Sequence, residues 1–237
     1  PTGSAFGSVG ALFWDRDGNG TIDRHDLWCS GSLIAPDVFL TAAHCVATPL
    51  TPPGTQFYVT FAPDLSAPIT VISATRVVYD PLFGHDVAKV HDVALVFLTT
   101  GSTRRMTPLE LPTAGILDAL KDNGSLATTL FLNVGYGADA TRPGRAEFPL
   151  DGVRKSATSE FGGLTQELLK LQRNLMSTDG GGDCFGDSGS PKFILGDPTT
   201  AYAVTSMGDP NCRSHSDAYR LDTPEARDWL GQYLPLP

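Results

Sequence analysis

Basic residues are scarce in this chain of 237 residues: 17 Lys and Arg stand against 26 Asp and Glu, for a formal net charge of −9. A surface of that sign repels phosphate backbones, which excludes ordinary nucleic-acid binding. Long hydrophobic runs are also missing. No stretch approaches the roughly 20 apolar residues of a membrane-spanning helix, and Pro1 opens no signal-peptide apolar region. The chain is therefore expected to be cytosolic or already processed, and not membrane-bound. Charged residues make up only 18%, so helix-favouring surface positions are few. What is abundant is Gly (25) and Pro (18). Many turns and few helix formers point to an all-β fold. At 41% hydrophobic residues the composition is globular, and the length suits one large unit or two small packed ones.

Short apolar or alternating runs recur between turn signals, at Val9–Trp14, Trp28–Ile34, Gln56–Phe61, Ile69–Val78, Val93–Leu98, Thr129–Val134, Pro191–Leu195 and Ala201–Ser206. Each predicts a strand. Two stretches predict helices. Gly163–Arg173 carries Leu164, Leu168, Leu169 and Leu171 near helical spacing. Thr223–Leu234 begins with Thr-Pro, continues with Glu225, and sets Ala226, Trp229, Leu230 and Tyr233 on one face. Thr100–Ser125, rich in Thr, Pro, Gly and Asp, is read as the connection between two β halves, 1–112 and 113–237. No tandem repeat is present; the echo of His85-Asp86-Val87-Ala88 in His91-Asp92-Val93-Ala94 is too short to be one.

The chemistry begins at Gly186-Asp187-Ser188-Gly189-Ser190-Pro191, a small-residue turn before a strand. A serine hydroxyl is a weak nucleophile unless a base takes its proton. Leu40-Thr41-Ala42-Ala43-His44-Cys45 offers an imidazole at the end of an apolar strand, and Asp92-Val93-Ala94-Leu95 a carboxylate at the mouth of another. A buried aspartate beside a neutral imidazole fixes its tautomer and stabilises the cation formed on proton transfer. Asp86 competes for that role, but Lys89 interrupts the strand after it, whereas Asp92 leads an unbroken apolar run.

These three motifs, in the order His, Asp, Ser, resemble the signatures of the trypsin/chymotrypsin-like serine proteases. Other serine hydrolases use other orders. Cys29-Ser30-Gly31-Ser32-Leu33-Ile34, Gly135-Tyr136-Gly137, Ser206-Met207-Gly208 and the last helix extend the likeness over most of the chain. The resemblance implies two packed six-stranded antiparallel β-barrels with a C-terminal helix. It implies catalysis by His44, Asp92 and Ser188, with the amides of Gly186 and Ser188 as the oxyanion hole, and disulfides Cys29–Cys45 and Cys184–Cys212. Zinc spacing is absent from the cysteines. Disulfides imply an oxidising compartment, so the chain is expected to be secreted with its signal removed. In the family the aspartate before the serine pairs with a new N-terminal Ile or Val. Here Asp187 precedes the serine, but the chain opens Pro1-Thr2-Gly3-Ser4. Asp187 is expected to use another cation or hydrogen-bond donors, or the mature terminus lies elsewhere. The resemblance also locates the substrate pocket. Gly182 takes the floor position, Asp183 follows it, Asp217 falls near the back wall, Phe185 stands at the entrance, and Ser206, Met207 and Gly208 form the binding strand. Asp183 and Asp217 predict a basic P1 residue.

One motif lies outside that frame. Asp15-Arg16-Asp17-Gly18-Asn19-Gly20-Thr21-Ile22-Asp23-Arg24-His25-Asp26 fits the twelve-residue calcium loop, with Asp15, Asp17, Asn19, Asp23 and Asp26 as side-chain donors, Thr21 offering its carbonyl and Gly20 at the turn. Strand-like flanks differ from the helices of an EF-hand, and the competing reading is a polar hairpin. No cofactor is expected for catalysis, and any Ca2+ would be structural. The leading function is a secreted, monomeric endopeptidase acting on proteins or peptides and open to a protease inhibitor. The alternative is an impaired homologue acting as a calcium-dependent binding module. An esterase of another fold is disfavoured by the residue order.

Overall fold

The computed structural model describes residues 1–47, 50–66, 68–86, 89–138, 150–173 and 181–237. Strands β1 (Val9–Phe13), β2 (Leu27–Ala35), β3 (Val38–Thr41), β4 (Tyr58–Thr60), β5 (Ile72–Tyr79) and β6 (Ala94–Leu98) close into a barrel in the order β1-β2-β3-β6-β5-β4. Strands β7 (Leu130–Gly135), β8 (Lys155–Leu164), β9 (Leu168–Gln172), β10 (Pro191–Ile194), β11 (Ala203–Gly208) and β12 (His215–Arg220) close into a second, in the order β7-β8-β9-β12-β11-β10. The two orders are the same topology used twice, and all pairings are antiparallel. Closure removes free strand edges, as an all-β chain with exposed polar loops requires.

Each barrel has its own core. Leu12, Phe39, Val59, Ala94 and Val96 fill the first; Phe131, Leu169, Leu171, Ala203 and Ala218 fill the second. A third cluster joins them, with Ile34, Leu40 and Leu95 meeting Val204, Tyr219 and the last helix. That helix, α2 (Pro224–Leu230), follows α1 (Ile116–Asp122) in the chain. Thr223 caps α2 by accepting from the Ala226 N–H, Pro224 sits in its first turn, and Ala226, Trp229 and Leu230 are buried. Seven residues are too few for a stable isolated helix. Burial at roughly 1.5–3 kcal/mol per large apolar side chain is what holds it across both barrels.

The N-terminal segment is fixed by Arg154, which is buried and, among the described residues, has no carboxylate partner. Its guanidinium donates to the carbonyls of Val9 (2.8 Å), Phe61 (3.1 Å), Gly3 (3.1 Å) and Ala5 (2.8 Å) and to Thr2 Oγ1 (3.0 Å). Among the described residues no helix is long and apolar enough to cross a membrane.

Two expectations are corrected. Gly163–Arg173 is not a helix: it is the end of β8, a turn, and β9. Leu169 and Leu171 alternate at period two and point into the second core, and Thr165 Oγ1 accepts from the Leu168 N–H to close the hairpin. The 100–125 connection contains α1, whose Leu117 N–H is held by the distant Asp222 carboxylate (2.9 Å). Of the echo at 85–88, Val87 and Ala88 lie outside the described residues.

Candidate active site

His44 sits in a 3-10 turn (Ala43–Cys45) directly after β3, and Asp92 precedes β6, the strand paired to β3. That pairing brings the two side chains together. His44 Nδ1 lies 2.7 Å from Asp92 Oδ2, and the His44 amide donates to Asp92 Oδ1 at 2.9 Å. Ser206 Oγ, arriving on β11 of the other barrel, donates to Asp92 Oδ2 at 2.6 Å. The carboxylate is buried and its His partner is partly open to solvent, with side-chain exposures of 3% and 23%. Such a pair orients the imidazole so that Nε2 remains free to accept a proton. These contacts belong to Asp92 and not to Asp86, whose backbone forms an isolated β-bridge with Lys89. A second buried pair, His91 with Asp80 (3.0 Å), braces the loop just before Asp92.

Ser188 lies on the turn between Cys184 and β10. Its carbonyl accepts from the Ser30 N–H (2.9 Å), so the turn is fastened to the first barrel. No hydrogen bond joins Ser188 Oγ to His44 among the described residues; such contacts commonly tighten only when substrate is present. Four amides of the turn are committed. Asp187 N–H donates to Cys184 O, Gly189 N–H to Thr205 O and Ser190 N–H to Asp187 O, while Cys184 N–H donates to Asp187 Oδ2. The amides of Gly186 and Ser188 donate to no described acceptor. These are the two expected oxyanion donors. Gly186 has φ +96°, a conformation that calls for glycine, and a Cβ there would also push Leu150 Cδ2, 2.8 Å away, aside. Its carbonyl accepts from Ser30 Oγ (2.8 Å).

Asp187 is buried and held by two backbone donors, Gly137 N–H (2.8 Å) and Cys184 N–H (2.9 Å). Burial, reinforced by the charge of Asp183, pushes its carboxyl up to about 6. The two disulfides are Cys29–Cys45 and Cys184–Cys212, the pairs the resemblance implies.

A cavity of about 290 Å3 opens beside Ser188, lined by Asp183, Phe185, Ser206, Met207, Gly208, Asp209 and Arg173, among others. Phe185 and Met207 are exposed at its mouth. Gly182 lies instead on a neighbouring cavity of about 300 Å3 that reaches Asp187, and Arg173 packs upon it. Asp217 does not line the cavity beside Ser188; it stands opposite Lys170 on the paired strand, 3.7 Å from its ammonium. Asp183 does line it, but both its oxygens are engaged: Lys192 Nζ donates to Oδ1 at 2.6 Å and Ser216 Oγ to Oδ2. Burial pushes the Asp183 carboxyl up, but the Lys192 charge and these hydrogen bonds outweigh it and hold it below the usual range. Burial pushes the carboxyl of Asp209 up at the rim, but the N–H groups of Ser214, Arg213 and Asn211 together outweigh it and bring it down to about 2. Arg173 and Lys192 were not singled out in the sequence. Arg173 is buried, and among the described residues its Nε has no hydrogen-bond partner.

The 15–26 loop gathers carboxylate oxygens of Asp15, Asp17 and Asp26 within 4.8 Å of one another. Asp15 accepts from Asn19 and Gly20 N–H, and Asn19 Oδ1 from Thr21 N–H (2.7 Å). Asp26 accepts from Arg16 N–H (2.9 Å), and Asp23 caps the 3-10 turn at 24–26 instead of joining the cluster.

Comparison with known proteins agrees with this geometry. The family model described as Trypsin matches residues 16–230. A curated collagenase of Hypoderma lineatum is 26% identical over 216 residues, spanning 89% of this chain and 77% of that protein. Among solved structures, HL collagenase superposes with a TM-score of 0.68 at 21% identity, covering 98% of this chain and 95% of the other. An atomic-resolution structure of HBP gives 0.70 at 20% identity, covering 100% and 95%.

Proposed function

The chain belongs to the trypsin family, and from that premise we propose that it is a secreted serine endopeptidase working through an acyl-enzyme. Family membership makes proteins its substrate class. Ser188 attacks the scissile carbonyl, His44 takes its proton and returns it to the leaving amine, and Asp92 holds His44 in the working tautomer. The Gly186 and Ser188 amides receive the oxyanion. One observation carries the reading: on a turn where the Cys184, Asp187, Gly189 and Ser190 amides are bonded, the Gly186 and Ser188 amides donate to no described acceptor. Two disulfides support an oxidising, extracellular setting.

The pocket chemistry favours an uncharged P1 side chain over the basic one anticipated from Asp183 and Asp217. Asp183 is already neutralised, Asp217 faces elsewhere, and the buried Arg173 and Lys192 balance Asp183 and Asp209. A P1 cation would be desolvated without a free carboxylate to meet it. Calcium at the 15–26 loop is a separate proposal, supported by the convergence of Asp15, Asp17 and Asp26; four carboxylates in so short a segment favour a hard, oxygen-seeking cation.

The test is an organophosphonate probe. Labelling of the wild-type chain that Ser188→Ala abolishes, with matching loss of peptide hydrolysis, is the expected outcome. A wild-type chain that neither labels nor cleaves would establish the impaired homologue instead.

A further inference from the structure

We propose that Lys192 is the internal cation that positions the Ser188 turn for oxyanion binding. The proposal rests on the endopeptidase reading above and concerns a residue that touches no reacting atom. Lys192 lies on β10 between the buried Pro191 and Phe193, and its own side chain is fully buried.

An ammonium has three donors, and this one uses them on three different parts of the site. Nζ donates to Asp183 Oδ1 (2.6 Å), to Ser190 Oγ (3.2 Å) and to Thr205 Oγ1. Asp183 begins the segment that carries Ser188, and Ser190 ends it. Thr205 belongs to β11, whose backbone accepts the Gly189 N–H and donates to Ser190 O. Ser190 Oγ and Thr205 Oγ1 are themselves 2.7 Å apart, and Ser216 of β12 closes the ring by donating to Asp183 Oδ2. Both ends of the turn are thus tied to one charge and to the two strands beneath it.

The charge matters as much as the bonds. Asp183 and Asp187 are buried together in the same turn, and the negative charge of Asp183 acts against ionisation of Asp187. Lys192 is the cation hydrogen-bonded within the turn that opposes this effect, with the buried Arg173 charge acting on Asp183 and Asp187 from beside it. Without Lys192, two carboxylates would share a dry site with Arg173 alone to offset them, which favours protonation or displacement of one of them. Asp187 grips the Gly137 and Cys184 amides, so a change in its charge alters the backbone on either side of Gly186. A lysine placed merely to fill space would have no such effect.

Lys192→Met removes the cation, and Asp183→Asn/Lys192→Met removes both charges while keeping similar volume. Acylation is followed with p-nitrophenyl acetate, which carries no P1 side chain, and peptide-ester turnover supplies kcat and KM. Lys192→Met is expected to acylate 10- to 100-fold more slowly, the loss falling in kcat with KM changed less than threefold. The double variant is expected to return to within fivefold of wild type. A single variant that acylates at the wild-type rate overturns the proposal, as does a double variant no better than the single. Should Lys192→Met fail to fold, the double variant decides alone: near-wild-type acylation supports compensation of charge, and a 10-fold or greater loss overturns it. An inactive wild-type chain sinks the endopeptidase reading itself, an outcome distinct from an active chain indifferent to Lys192.

Discussion

Ser30 offers a sharp test of how the oxyanion site is built. Its Oγ is a relay between the barrels, accepting from the Tyr136 N–H (3.0 Å) and donating to Gly186 O (2.8 Å). Ser30→Ala removes both bonds in a place where the side chain is wholly buried. The backbone link from Ser30 N–H to Ser188 O and the Thr41 hydroxyl bond to Ser30 O do not involve Oγ and remain. A buried polar group left without a partner costs about 1–3 kcal/mol. Tyr136 is fully buried and bears the larger share, whereas Gly186 is only half-buried and can recruit water. The sum is about 2–4 kcal/mol of folding stability. The functional effect has a different origin: the Gly186–Asp187 peptide loses its anchor, so the neighbouring amide samples orientations that miss the oxyanion. A single misdirected oxyanion donor costs on the order of 10²-fold in kcat, and partial misalignment about 10-fold. Urea unfolding gives the first quantity and stopped-flow acylation the second. A variant that loses 2–4 kcal/mol yet acylates within twofold of wild type refutes the claim that this bond orients the site.

Three further outcomes are expected. Chromogenic peptides ending in Leu, Met or Gln should be cleaved at least about 10-fold faster than those ending in Arg or Lys, since a desolvated P1 cation finds no free partner; a preference for Arg or Lys ends the balanced-pocket reading. Asp187 makes stability fall with rising pH, because its folded value of about 6 lies above the ordinary 3.8 of a free aspartate, so the folded state binds the extra proton between those values. Relative to Asp187→Asn, the wild-type chain should lose up to about 3 kcal/mol between pH 4 and 7, and a flat or rising difference in chemical denaturation curves contradicts this. Chelation should lower the melting temperature and added calcium restore it, by about 5–10 °C at a hundredfold excess over Kd. Asp15→Ala/Asp17→Ala should abolish that response; equal melts with and without chelator in the wild-type chain discard the site.

The barrels and the candidate catalytic residues were legible because their signals are local. A turn of Gly, Asp and Ser before a strand, or a His directly after an apolar run, carries its meaning within a few residues. The 163–173 segment was misread because four leucines fit a helical stripe when counted together, while the pair that reaches the core, Leu169 and Leu171, alternates as a strand. Helix α1 was missed because its first turn is held by Asp222, 105 residues away. The pocket was harder still, for a reason that reaches beyond this chain. A carboxylate beside a serine turn advertises affinity for cations only if nothing inside the fold has already answered it. At Asp183 the answer comes from Lys192, nine positions on in sequence, on a strand where Pro191, Lys192 and Phe193 are all buried. The sign of a side chain is written in the sequence, but its availability is set by strand register. In such a pocket the charge a substrate meets is what remains after the buried counter-charge is taken into account, and here Lys192 already holds Asp183 Oδ1.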